Sequence, residues 1–340
     1  MLTAATTWRR PRMCSPRRWI HLALMCMALV TAAGATYAGD RPLVTSFYED
    51  GPLQYIYTTG HSVYRGSMKS GETYTASFPL DLPGDAEVRF ERLYVYWAWS
   101  QINQKPLYPT FNLADSRDPS MGLERVARFA DSKGVVGSYD FYAGTDVYAL
   151  ASPVPGPNTV TITLTQEGPP ESSVVMFGIA CLVVYEDPGE PRRLIWVKEG
   201  GDLLFSSYGV SPEMASSEMV FEGTLPSGDI ERAELFLVAP SGGYSRDRDF
   251  EINSLRVNWL DEEKTPLLMR TIFSLLFPNY RGKEWFDVFL LDSRTQIGFE
   301  TRDIRPFLRR EDNRVTVRDQ GDYLQLANAI LAIQIAGEST

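Results

Sequence analysis

Short segments rich in Tyr, Val, Ile, Thr and Phe recur along this chain, separated by Gly, Pro, Asn and Asp, and that rhythm restricts it to an all-β fold. They fall at 54–57, 92–99, 158–165, 174–185, 192–197, 233–239, 250–259, 285–291, 314–317 and 329–335. Asn158 to Leu164 alternates polar and apolar residues, as a strand with one wet face does. The segment 92–99 is different. Leu93, Val95, Trp97 and Trp99 share one face, Tyr94 and Tyr96 the other. A strand apolar on both faces is expected at the centre of the fold, covered on each side. The segment 267–277 reads as a short helix or a buried strand, and Pro278 ends it in either case.

The chain also repeats itself. Arg92 to Tyr96 resembles Glu234 to Val238, and Asp146-Val147-Tyr148 resembles Asp303-Ile304-Arg305. Asn158 to Ile162 resembles Asn313 to Val317, and Gly178 to Val184 resembles Asn328 to Gln334. The order is preserved while the offset drifts, as loops of unequal length require. The expectation is two tandem, similar β-sandwich domains, 45–190 and 191–338, meeting near Glu186 to Pro191. Jelly-roll-like and immunoglobulin-like strand orders share this patterning, and both stay open.

The first 38 residues read as a signal peptide, or as an N-terminal anchor if uncleaved. Arg9, Arg10, Arg12, Arg17 and Arg18 precede an apolar run from Trp19 to Val30, and small residues follow. Ala33-Gly34-Ala35 and Thr36-Tyr37-Ala38 are the candidate cleavage sites. The run is shorter than the roughly 20 residues that span a bilayer comfortably. Taking those five arginines from the 33 basic residues leaves 28 against 43 acidic ones, a net charge of −15 after cleavage. Such a polyanion repels phosphate backbones and anionic lipid surfaces, so nucleic acid is not an expected partner. Membrane contact is expected only through an uncleaved N-terminal segment. The expected location is extracellular or at the cell surface, with other envelope proteins or glycans as partners.

Histidine and cysteine chemistry has little material to work with. Cys14 and Cys26 lie in the leader, leaving Cys181 in an apolar run where a buried small hydrophobe is expected. His61, in Gly60-His61-Ser62, is the one histidine beyond the leader, and a turn or surface position suits it. There is no HExxH, G-x-S-x-G, P-loop or G-x-G-x-x-G pattern. Three readings remain. Asp247, Asp249 and Glu251 alternate in a loop-like stretch and would share one face of extended chain, a weak calcium candidate. Tyr94 and Tyr96 are the candidate ligand-binding aromatics, since tyrosine faces can stack on sugars, although core packing is the commoner use of such a stripe. A glycosidase needs two carboxylates close in space, which sequence spacing does not reveal.

Several of these segments resemble an uncharacterised domain family found mainly in surface proteins of methanogenic archaea. The resemblance lies in Arg92 to Ser100, Val183 to Pro188, Ile195 to Leu204, Gly321-Asp322-Tyr323 and Asn328 to Leu331, and covers roughly residues 45 to 336. It implies an exported or envelope location and a β-rich fold, and supplies no catalytic residue. Phe111-Asn112-Leu113 stands where relatives often carry an Asn-Gly turn. The leading expectation is a structural or interaction protein of the cell envelope without catalytic activity. A carbohydrate-binding module is the alternative, and a carboxylate-dependent glycan hydrolase stands third.

Overall fold

The structure, a computed structural model, describes residues 41–133, 135–136, 139–140, 142–150, 156–207, 209–243, 252–260, 266–277, 279–292 and 294–336. The expected leader at 1–38 lies outside these residues.

The described chain is nearly all β. Its strands are β1 (Val44–Gly51), β2 (Leu53–Thr58), β3 (Gly66–Lys69), β4 (Thr73–Leu82), β5 (Glu87–Ile102), β6 (Lys105–Pro106), β7 (Phe111–Asp115) and β8 (Asp118–Gly122). Next come β9 (Arg125–Asp131), β10 (Val135–Val136), β11 (Tyr139–Asp140), β12 (Ala143–Tyr148), β13 (Gly156–Gln166), β14 (Ser172–Glu186), β15 (Arg193–Leu204) and β16 (Ser216–Thr224). The last are β17 (Ile230–Pro240), β18 (Asn253–Val257), β19 (Lys283–Phe286), β20 (Leu290–Asp292), β21 (Ile297–Asp303), β22 (Glu311–Asp319) and β23 (Leu324–Ile335). One helix, α1 (Leu267–Leu276), interrupts them.

Four sheets stack in layers. A first outer sheet, β4-β13-β7-β8, lies against a first inner sheet, β2-β14-β5-β12-β9. A second inner sheet, β1-β15-β23-β17-β21-β20, lies against a second outer sheet, β16-β22-β18-β19. The two inner sheets also pack on each other, so there are three cores. The alternation of β5 shows why. Leu93, Val95 and Trp97 fill the first core, while Tyr94, Tyr96 and Ala98 fill the core between the inner sheets. In β23, Ala329, Leu331 and Ile333 point to the second outer sheet, and Ala327, Ile330 and Ala332 to the inner one. Strands apolar on both faces are placed where both faces are covered. The outer strand β13 keeps one wet face, with Val160, Ile162 and Leu164 buried between half-buried or exposed threonines.

The strand orders of the two halves correspond one for one. β2-β14-β5-β12-β9 is matched by β15-β23-β17-β21-β20, and β4-β13-β7-β8 by β16-β22-β18-β19. Register agrees as well: Cys181 faces Leu93 as Leu331 faces Leu235. The alignment of Asp146 with Asp303 shifts, however. Asp146 faces Val95, and the residue that faces the corresponding Leu237 is Glu300. The sequence match there follows a local Asp-apolar pattern, whereas pairing follows the hydrogen-bond ladder. β1 also crosses the expected boundary. It runs antiparallel to β15 at the edge of the second inner sheet, although β2 opens the first. The three cores draw on residues from Leu43 onward, so the described residues carry their own interior. The segment 267–277 folds as a helix, and it is not buried: Leu268, Ile272, Leu275 and Leu276 are exposed.

Leu93 and Leu235 occupy matching sites in separate cores, and the shared inner core ties those cores together. Leu93→Ala and Leu235→Ala should each cost about 2–5 kcal/mol. In calorimetry both variants should lower one shared unfolding transition. Two resolved transitions, each moved by only one variant, would contradict this coupling.

Candidate functional site

The space between the inner sheets is where sequence reading placed its candidate aromatics. Tyr94 and Tyr96 are fully buried there. Their rings stack with centroids 6.1 Å apart. Tyr94 Oη donates to Glu199 at 2.8 Å, and Tyr96 Oη donates to Asn328 Oδ1 at 2.5 Å. Tyr57 Oη lies 2.8 Å from Tyr96 Oη. Glu199 also accepts from Ser46 Oγ at 2.7 Å and has Arg92 Nε at 3.5 Å. A sugar-stacking platform needs an open ring face, and these rings spend theirs on packing.

The same interface carries further cross-links. Gln325 Nε2 donates to Thr145 at 2.9 Å, and Tyr55 Oη donates to Glu234 at 2.8 Å. Lys133, whose side chain is buried, bridges Asp131 at 3.0 Å and Asp202 at 2.7 Å. Asp131 Oδ2 also accepts the Leu203 amide at 3.1 Å. Burial holds the Asp202 carboxyl above the ordinary carboxylate range, opposed by the Lys133 ammonium. These two carboxylates lie within the stack, closed to a polysaccharide chain.

One cleft opens beside this network. It measures about 340 Å³ and is lined by Arg41, Tyr108, Arg128, Phe129, Gly200 and Gly201. The buried Trp97 indole donates to Asp146 at 3.1 Å and meets Tyr142 edge-on at 5.3 Å. Tyr142 meets Tyr108 edge-on at 5.7 Å, and Tyr108 is 60% exposed. A file of rings thus runs from core to solvent. The Arg128 guanidinium binds both oxygens of Asp146 and stacks 5.3 Å from the Tyr108 ring centre. Two glycines make room for it. A Cβ on Gly144 would stand 2.3 Å from the Trp97 ring, and one on Gly201 2.7 Å from the Phe129 carbonyl. Sequence reading missed Tyr108, because a lone tyrosine between two prolines carries no periodic signal.

The remaining candidates are placed as follows. Cys181 is buried in the first core, and burial pushes its thiol up to about 12. His61 is exposed in a turn, its amide bonded to the Ser77 carbonyl at 2.8 Å. Asp247, Asp249 and Glu251, the calcium candidates, lie outside the described residues. Among the described residues no three His, Cys, Asp or Glu side chains are grouped to hold a metal ion.

The chain belongs to the family described as Protein of unknown function (DUF3344), whose family model matches residues 36–334. No curated protein matches it. Among solved structures it is similar to the major capsid protein P2 from Bacteriophage PM2, at 9% identity and a TM-score of 0.19 over 84% of this chain and 99% of that one. It is also similar to the Sputnik virophage structure, at 10% identity and a TM-score of 0.18 over 98% of this chain and 92% of that one. Scores this low carry no argument about function.

Tyr94→Phe should cost about 1–3 kcal/mol, because Glu199 loses a buried donor. Tyr96→Phe should cost a similar amount by stripping Asn328. Urea midpoints of both variants against the parent measure it, and unchanged midpoints would refute the role. Alkaline pH tests the same network. Burial raises the folded-state values of Tyr57, Tyr94 and Tyr96 above the usual 10.0. Above that pH the unfolded chain releases phenolic protons that the folded chain keeps. Stability from this source is therefore intact below about pH 10 and falls as pH rises past it. A urea midpoint as high at about pH 11 as at about pH 8 would contradict this sign.

Proposed function

We propose that this chain is an exported structural or interaction protein of the cell envelope, composed of two copies of one β-sandwich and acting by association with envelope proteins or glycans. The observation that carries this reading is the fixed stack of four sheets. Its interior polar groups are engaged in joining one half to the other: Tyr94 to Glu199, Tyr96 to Asn328 and Lys133 to Asp202. Such an interior suits a rigid block that presents surfaces. The leader-like first 38 residues and the acidic composition of the rest of the chain support export. So does the resemblance of 92–100 and 195–204 to archaeal surface proteins. The matched strand orders support duplication, with β1 as the added strand that clips the second half.

A second reading is favoured by Tyr108. Its exposed ring, set against Arg128 at the mouth of the cleft, is the kind of surface on which a sugar ring stacks. In this reading the protein is a carbohydrate-binding module.

Fractionation of the source cells, with protease accessibility of intact cells, tests the first reading. The chain should be found in the envelope or medium and be cleaved from outside. A protected cytosolic pool would end the proposal. For the second reading, Tyr108→Ala should abolish retention on the glycans that an array identifies, and an array without hits would remove it.

A further inference from the structure

The helix α1 carries its apolar residues on the wrong side for a globular protein. Leu268, Ile272, Leu275 and Leu276 follow the i, i+4, i+7, i+8 spacing of one helix face, and all four are exposed. Exposure is 80% for Leu275, 71% for Leu268, 65% for Leu276 and 56% for Phe277. Phe273 is half-buried, packed near Phe277 and Tyr280. The five exposed residues present roughly 500 Å² of apolar surface, at the upper end of what a monomer leaves open without a purpose.

What surrounds the patch narrows the occupant. Leu276, Phe277 and Tyr280 line one depression with Pro306, Phe307, Leu308 and Arg309. Arg310 lines a second depression with Leu225 and Ile230, which shares Leu308 and Arg309 with the first. Lys283 is exposed at the start of β19, next to Gly282 of the same depression. Along 279–286 and 306–312 the cations are Arg281, Lys283, Arg309 and Arg310, and the acids are Glu284, Glu311 and Asp312. Glu284 is tied to Arg256 at 2.6 Å, and Asp312 accepts the Gly223 amide at 3.1 Å. Four cations thus stand beside an apolar face, against three acids of which Glu284 is paired with Arg256, on a chain whose net charge is −10. Trp259, 38% exposed beside Arg256, and Tyr280 add rings of the kind that settle at a lipid headgroup boundary. Asp261, Glu262, Glu263 and Lys264 precede the helix in sequence.

We infer that this face docks the protein on a lipid surface bearing anionic headgroups, with α1 lying in the plane of the interface. Leu275, Leu276 and Phe277 enter the acyl boundary, and Lys283, Arg309 and Arg310 meet the headgroups. A second copy fits less well, because a two-fold axis through the patch would set cation against cation. Among the described residues no helix is long and apolar enough to cross a membrane. The acidic remainder of the molecule is repelled by the same headgroups, which orients it outward. This inference names a partner within the proposed envelope role and is tested without reference to location.

The test is co-sedimentation of the chain from residue 39 onward, free of the apolar leader, with phosphatidylcholine vesicles made with and without phosphatidylglycerol. Binding should require phosphatidylglycerol and weaken with salt. Leu275→Asp with Leu276→Asp should reduce it at least about tenfold. Reversing Lys283, Arg309 and Arg310 to Glu should reduce it by about fivefold per cation or more. All these positions are exposed, and a thermal melt checks that the variants stay folded. No sedimentation at low salt, or binding indifferent to both sets of variants, would overturn the inference. So would light scattering that shows a dimer dissolved by the leucine variants, which would give the face to a second copy. A lipid-binding chain found in the cytosol would leave this inference standing while ending the envelope reading.

Discussion

The contact between the two inner sheets is the constraint on which the rest depends. Each inner sheet buries both faces, one against its own outer sheet and one against the other inner sheet. A fully buried aliphatic or aromatic side chain contributes about 1.5–3 kcal/mol, and three cores multiply that many times over. No half could leave its partner without exposing Tyr94, Tyr96, Leu182, Ile195, Val197 and Ile330. The join is thus a third core, which makes the described chain from Leu43 to Ile335 one cooperative body.

Apolar burial supplies the energy but not the alignment. Two flat apolar faces could slide or rotate with little penalty. The buried hydrogen bonds remove that freedom: each contributes about 1 kcal/mol when made and costs about 1–3 when broken. The bonds of Tyr94 with Glu199, Tyr96 with Asn328, Thr145 with Gln325 and Lys133 with Asp202 are made together at one relative placement. Their arrangement across 105, 232, 180 and 69 residues of chain links elements that are far apart in sequence. These bonds account for the carboxylates and phenols that the interior holds.

The surface is less even than the interior. On one side, the ring file from Trp97 to Tyr108 reaches solvent at a small cleft. On the other, α1 interrupts the β pattern and turns its apolar face outward. Tyr108 and α1 lie in connections between strands, β6 to β7 and β18 to β19, where side chains are free of ladder constraints. A rigid stack that carries its variation in loops is suited to presenting contacts.

The all-β class was legible in the sequence because strand periodicity and turn residues are local properties. So was the central position of β5, since only a strand covered on both sides tolerates Leu93, Val95 and Trp97 opposite Tyr94 and Tyr96. The segments read as repeats fall in β5 and β17, β13 and β22, and β14 and β23. Tertiary structure decided the rest. Whether Tyr94 and Tyr96 met a ligand or another sheet depended on what lay across from them, and Glu199 and Asn328 are distant in the chain. The crossing of β1 to β15 was hidden because edge pairing is a matter of backbone proximity. The sequence could not tell whether 267–277 was a buried strand or a helix, because an apolar run has the same composition in either setting. Only the fold, by leaving Leu275 80% and Leu276 65% exposed, turned that run into a surface.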